Sequence, residues 1–232
     1  MVVLLISGCS ANVKKIDTND LTISQYAGVE VDTTLLEATH SDDSSSIGVD
    51  HMDQIVSDAT STVIDYGTDT KKSMGDAETK QYEETMEDII AQAAWDIVVA
   101  NTDIKAYPTD ALHDETDHLQ QIYKDRAAAY NLTYDEYVTK YLKTDVETMQ
   151  KQIEDQAKQN VRDDLIIDAI VDAEGLTISK STIYDYFERQ ANLLGFSSVD
   201  NMLKKLDERL LTRAAKREVV QTWLGEHCKE VS

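Results

Sequence analysis

The chain has 232 residues, of which 28% are charged, and its formal net charge is −22. One proline and eight glycines are so few that the composition predicts long helices joined by short loops. The negative charge disfavours binding to nucleic acid, whose phosphates it would repel, and disfavours attachment to anionic lipid through basic patches.

The first ten residues, MVVLLISGCS, combine a short apolar run with Ser7, Gly8 and Cys9. This order resembles a bacterial lipoprotein signal, in which residues 1–8 would be removed and Cys9 would carry the lipid, although no Lys or Arg precedes the apolar run. The resemblance implies an extracytoplasmic protein held by lipid at the bacterial cell membrane. The alternative is a cytoplasmic protein with an apolar N-terminus. If Cys9 is lipidated, Cys228 has no partner for an internal disulfide.

Polar and acidic residues follow. Residues 9–20 are expected to form a polar tether, and residues 21–77 an acidic N-terminal region. Within this region, alternation over Leu21–Val31 predicts one or two strands with a bend at Gly28, and Asp50–Val63 is expected to be a helix. Between Ile16 and Thr70 the chain contains no Lys or Arg. This region could therefore lie against the basic last helix of the chain, or remain solvated.

Residues 78–230 are expected to form one helical domain, because apolar side chains recur every three or four positions over long segments. Two capping boxes predict the starts of two helices. In a capping box, a Ser or Thr hydroxyl accepts a hydrogen bond from the backbone N–H of a Glu three residues later, and the Glu carboxylate accepts one from the backbone N–H of the Ser or Thr. The two boxes are Thr133 with Glu136 and Thr144 with Glu147. Ser179 is expected to cap a later helix.

The order of the turns in this domain carries a family resemblance. One helix ends at Glu174 and is followed by Gly-Leu-Thr-Ile-Ser, the next ends in Leu-Gly-Phe-Ser at residues 194–197, and a long helix closes the domain. This order resembles the C-terminal chaperone domain of trigger factor and its SurA-like relatives, over Tyr82–Cys228. The resemblance implies a mainly α fold, an extended multi-helix domain with two helical arms.

Two stretches, Ala94–Leu142 and Asp168–Leu206, follow one plan and are the expected arms. Each has the end of an apolar helix, a short extended break, a long helix, a turn and a short capped helix. An arm exposed on two sides cannot bury all of its apolar surface, so a large apolar patch is expected in the cradle between them.

Five of the eleven tyrosines fall between Tyr123 and Tyr141. They could form an adaptable binding surface, because tyrosine offers apolar area and a hydroxyl at low entropic cost. Alternatively, they hold the helices of the arm together. The candidate binding residues at the ends of the two arms are Tyr130, Leu132, Tyr134, Tyr137, Tyr141, Leu194 and Phe196.

No catalytic or metal-binding pattern stands out. His113 with Asp117 and Asp114 with His118 are spaced four residues apart but lack a third ligand, so a solvated helix face is expected. There is no Gly-x-Ser-x-Gly motif and no phosphate loop, and no cofactor is expected. Too few residues separate Tyr66 from the helical domain for the FKBP-type isomerase domain of trigger factor. The basic ribosome-docking loop of that family is also missing, so neither isomerase activity nor ribosome docking is expected.

These observations favour a non-enzymatic chaperone anchored to a membrane. It would hold unfolded or newly exported polypeptides in an apolar cradle between its arms, without ATP, while its acidic exterior keeps the complex soluble. The alternatives are a peptidyl-prolyl isomerase of the trigger factor family and a non-catalytic scaffold lipoprotein with one dedicated partner.

Overall fold

Most of the chain is helical, as the sequence predicts. A computed structural model describes residues 13–33 and 76–231, with side chains from residue 85 onward in the second range. A π-helical turn at Tyr137–Tyr141 directly follows a short helix at Tyr134–Glu136. The elements, in chain order, are β1 (Lys14–Asp17), β2 (Leu21–Ala27), β3 (Glu30–Asp32), α1 (Asp76–Ala100), β4 (Thr102–Ile104), α2 (Thr109–Ala129), α3 (Tyr134–Glu136), α4 (Val146–Glu174), α5 (Lys180–Leu193), α6 (Val199–Leu203), α7 (Glu208–Glu226) and β5 (Lys229–Val231).

The N-terminal segment is more ordered than its polar composition suggests. Residues 14–17, expected to belong to a tether, form β1 instead, because Ile16 alternates with polar neighbours and is buried. The strands expected within Leu21–Val31 are confirmed as parts of β2 and β3, and Gly28 makes the bend with a φ of 66°. The predicted signal, the lipid on Cys9 and the helix over residues 50–63 lie outside the described residues.

Strands from distant parts of the chain pair with one another. β2 lies between β1 and β4 in an antiparallel sheet, with Leu21 opposite Ile104. β3 pairs in parallel with β5, with Val31 opposite Glu230. Tyr26 of β2 also donates a hydrogen bond to the carboxylate of Glu174. The strands thus tie the N-terminal region to the ends of α1, α4 and α7.

Buried apolar side chains form three clusters among the described residues. The body cluster joins the strands and α1 to the second halves of α4 and α7. Arm 1 (residues 109–157) has a cluster built from α2, the π-turn and the first half of α4. Arm 2 (residues 180–215) has one built from α5, α6 and the start of α7. Separate apolar clusters lie in both predicted arms, but the predicted bounds are wrong. The start of each predicted arm, including Ala94 and Ile170, packs in the body cluster. Each arm cluster also extends into the beginning of the long helix that follows.

Side-chain caps and one glycine define where the helices begin and end. The capping box of Thr133 and Glu136 is confirmed, and Ser179 caps α5. The predicted box at Thr144 is wrong, because Asp145 accepts both the backbone N–H and the hydroxyl of Thr148, at 2.8 and 2.7 Å. Gly175 ends α4 with a φ of 63°, in the left-handed region that favours glycine.

None of the helices in residues 13–33 and 76–231 is both long and apolar enough to span a bilayer.

Candidate functional site

The far end of arm 1 carries three tyrosines whose rings lie against one another, here called the tyrosine cluster: Tyr130, Tyr137 and Tyr141. The ring centroids of Tyr137 and Tyr141 are 5.0 Å apart and their planes differ by 13°. The Tyr130 centroid lies 4.9 Å from Tyr141 and 5.9 Å from Tyr137. These separations fall in the range where aromatic pairs attract each other.

The π-turn brings two of these rings together. The amide N–H of Leu142 donates to the carbonyl of Tyr137 at 3.0 Å, the five-residue spacing of a π-helix, which is rare and frequent at functional sites. The capping box at Thr133 starts this segment, and the buried side chain of Val138 anchors it in the arm 1 cluster. The local sequence therefore fixes where Tyr137 and Tyr141 lie.

Part of the tyrosine cluster is core and part is surface. Tyr137 is 4% exposed, whereas Tyr130 and Tyr141 are 55% and 52% exposed. The Tyr141 hydroxyl donates to the Tyr130 hydroxyl at 3.3 Å, and this hydrogen bond raises the pKa of Tyr141. Two aromatic rings are thus held in fixed positions while much of their surface faces solvent.

The other predicted site residues pack within their own arms. Leu132 and Tyr134 are partly buried against the arm 1 cluster, and Leu194 and Phe196 against the arm 2 cluster. Together with Tyr137, these side chains hold helices together. The structure therefore brings the predicted residues into two separate groups, one at the end of each arm.

Arm 2 also has open apolar side chains that were not among the predicted site residues. Tyr184 is 51% exposed and Leu193 is 60% exposed, both on α5. The buried face of α5 runs through Tyr186, Phe187 and Ala191. Leu193 is seven residues after the buried Tyr186, which places both on the same side of an ideal helix, so apolar periodicity gave no signal that Leu193 is exposed.

A groove of about 750 Å³ lies between α2, α4 and α7. Its apolar lining includes Pro108, Ala111, Val161 and Leu165, and its charged lining includes Asp164, Asp168, Arg209, Arg213 and Lys216. This groove is therefore mixed in polarity, whereas the sequence predicted an apolar cradle between the arms. Periodicity located the apolar faces of the helices, but it could not show that charged flanks would meet there.

The basic side chains of α7 pair with acids of the helical domain. Nε and Nη2 of Arg213 each donate to a carboxylate oxygen of Asp164 at 2.9 Å, and Arg217 lies 4.0 Å from Asp163. The sequence left open whether the acidic N-terminal region contacts this helix. Residues 34–75 of that region lie outside the described residues. The acidic partners of Arg213 and Arg217 named above, Asp164 and Asp163, both belong to α4.

The two histidines of α2 differ in their surroundings. His113 is exposed and lies 3.5 Å from Asp117, as a solvated helix face predicts. His118 is partly buried and its Nε2 lies 3.1 Å from the carboxylate of Asp207, so the expected solvated face is wrong for this residue. Neighbours in the sequence could not reveal this partner, because Asp207 comes from the other arm.

The cap of α3 predicts a pH dependence for arm 1. Hydrogen bonds from Lys140 and Thr133 lower the pKa of Glu136 to about 2, from an ordinary value of 4.5. A lowered pKa in the folded state stabilises the protein above pH 4.5, and this stabilisation is lost as the pH falls toward 2. We expect Glu136→Gln to lower the urea midpoint at pH 6 more than at pH 2.5. An equal effect at both pH values would contradict this role of the carboxylate.

Comparison with known proteins places the helical part in a family. Residues 68–224 match the family described as bacterial trigger factor protein C-terminus. A trigger factor of Onion yellows phytoplasma (strain OY-M) is 28% identical over 133 residues, which cover 57% of this chain and 29% of that protein. The matched region thus spans less than a third of this curated relative. No solved structure is significantly similar to the chain.

Proposed function

Because the chain belongs to the trigger factor C-terminal family, which supports a chaperone-type role, we propose that it is an ATP-independent holdase for unfolded polypeptides. The observation that carries this proposal is the pair of open tyrosine rings at the end of arm 1, Tyr130 and Tyr141. Tyr184 and Leu193 provide a second apolar surface on arm 2. A client would contact the exposed apolar side chains of both arms.

Binding of this kind rests on many weak apolar contacts. Each contact contributes roughly 25 cal/mol per Å² of apolar surface removed from water. The rings of Tyr130 and Tyr141 are already fixed by stacking, so they lose little side-chain entropy when a client binds. The mixed lining of the groove would accept polar backbone and charged side chains between these contacts. A client with several exposed apolar segments would therefore bind without one defined sequence.

Light scattering of two unrelated aggregating proteins, with and without the purified chain and without ATP, tests this function. We expect the chain to suppress aggregation of both proteins at near stoichiometric amounts. If it suppresses neither, the holdase proposal is wrong, and a scaffold with one dedicated partner becomes the better explanation. If it suppresses only one, the binding is selective and a general holdase is excluded.

We also propose that the chain is held at the outer face of the bacterial cell membrane by lipid on Cys9. The order Ser7-Gly8-Cys9 after an apolar run supports this proposal. Fractionation of cells that produce the whole chain tests it, with Cys9→Ser as the variant and Cys228→Ser as the matched control. We expect only Cys9→Ser to leave the membrane fraction, whereas an unchanged distribution would contradict lipid anchoring.

A further inference from the structure

Polar contacts join arm 1 to arm 2. Among the described residues, the apolar clusters of the two arms have no side chain in common. Glu115 of α2 instead lies between two arginines of α7. Its Oε2 is 2.7 Å from Nη2 of Arg209, and its Oε1 is 3.0 Å from Nη1 of Arg213. A second contact joins His118 of α2 to Asp207, which caps α7.

The long helix α4 holds both sides of this contact. Nδ2 of Asn160 donates to Oε1 of Glu115 at 2.6 Å, and Asp164 accepts two hydrogen bonds from Arg213. Glu115 is fully buried, and Asn160 is 8% exposed. The position of α2 relative to α7 is therefore set by side chains with defined hydrogen-bonding directions.

These polar contacts are better suited to orienting the two arms than to stabilising the folded protein. Removing two charges from water has a cost that their attraction offsets only in part. Glu115 lies 2.7 Å from Arg209 and 3.0 Å from Arg213, and the attraction within such ion pairs weakens when water enters between the charges. If α2 and α7 separate, water can solvate the exposed charges, whereas the apolar cluster of each arm stays buried. Such a contact can open at modest cost.

We propose that Glu115, His118, Asp207, Arg209 and Arg213 form a polar latch that sets the spacing between the two arms. Four of these side chains line the groove, so the latch also sets its width. A client wider than the closed groove would bind after the latch opens. The inference extends the proposed holdase function, but the spacing of the arms can be measured without a client.

Distance measurement by pulsed electron paramagnetic resonance tests the latch. Spin labels are attached to Ala129→Cys at the end of α2 and Asn192→Cys near the end of α5, two exposed positions on different arms. Cys9 and Cys228 are replaced by serine in this background. The latch is weakened in one variant by Glu115→Gln. A second variant, His118→Gln with Arg209→Gln, changes the partly exposed side of the latch and leaves the buried Glu115 in place.

We expect both latch variants to broaden the distance distribution and to shift it toward longer distances. The matched control is Glu218→Gln, which removes an exposed ion pair between α7 and Arg189 of α5 that does not involve arm 1, and it should leave the distribution unchanged. If Glu115→Gln does not fold, the second variant decides. Unchanged distances in folded latch variants, or equal broadening in the control, would overturn the proposal. Because no client is present, neither result depends on holdase activity.

Discussion

Replacement of Leu224 by alanine is expected to lower the free energy of unfolding by about 2–5 kcal/mol. Leu224 lies on α7, is 0% exposed, and belongs to the body cluster that joins the strands to α1 and α4. Removing its side chain leaves a cavity that helices and sheet cannot fill without moving. Urea denaturation followed by circular dichroism measures this change.

The matched control is the same substitution at an exposed leucine. Leu193 of α5 is 60% exposed, so Leu193→Ala should change the free energy of unfolding by less than about 0.5 kcal/mol. A similar loss in both variants would contradict the assignment of Leu224 to a closely packed body.

Replacement of both Tyr130 and Tyr141 by serine is expected to raise the dissociation constant for an unfolded client about 10-fold, equivalent to ~1.4 kcal/mol. Both rings are more than half exposed, so little arm 1 core is lost, while Tyr137 and Val138 remain to hold the π-turn. Aromatic anchors often carry a large share of the binding energy at an interface. Fluorescence anisotropy of a labelled, permanently unfolded client measures the affinity.

A control for this variant removes exposed apolar surface elsewhere. Val13 is 45% exposed and lies just before β1, outside both arms. Val13→Ser should leave the dissociation constant unchanged. Equal weakening by the control and by the double variant would mean that clients bind any exposed apolar surface. Unchanged affinity in the double variant, with its helical content retained, would remove the tyrosine cluster from the client site.

Local sequence signals were sufficient for most of the helical domain. Apolar periodicity located the helices from Asp76 onward, but it placed the starts of both arms in what is the body cluster. The helix α4 ends at Glu174, as the sequence predicted, and Gly175 follows it in the left-handed region. The capping box at Thr133 was also correct, but the box at Thr144 was wrong, because the helix is capped one residue later. Asp145 is the N-cap instead, and its two carboxylate oxygens accept from the amide and the hydroxyl of Thr148, whereas a cap at Thr144 would use the amide of Glu147.

Local sequence patterns could not predict contacts between residues that lie far apart in the chain. The strand β1 has only one buried side chain, Ile16, and its pairing depends on β2, which also pairs with β4. Nothing in the local sequence marked Glu115 as buried, because its arginine partners come from α7. The candidate site was also predicted only in part, because the burial of each tyrosine depends on contacts that the local sequence does not show. Composition pointed to the tyrosines, but only the π-turn shows that Tyr141 is open while Tyr137 is buried.

Photo-crosslinking of an unfolded client to defined positions tests the client site most directly. A benzophenone amino acid is placed at Tyr141 in the tyrosine cluster and, in a separate protein, at Asp103, an exposed position on β4 of the body. We expect the client to crosslink at position 141 and to give only background yield at position 103. Background yield at position 141, or equal yield at both positions, would contradict a client site at the end of arm 1.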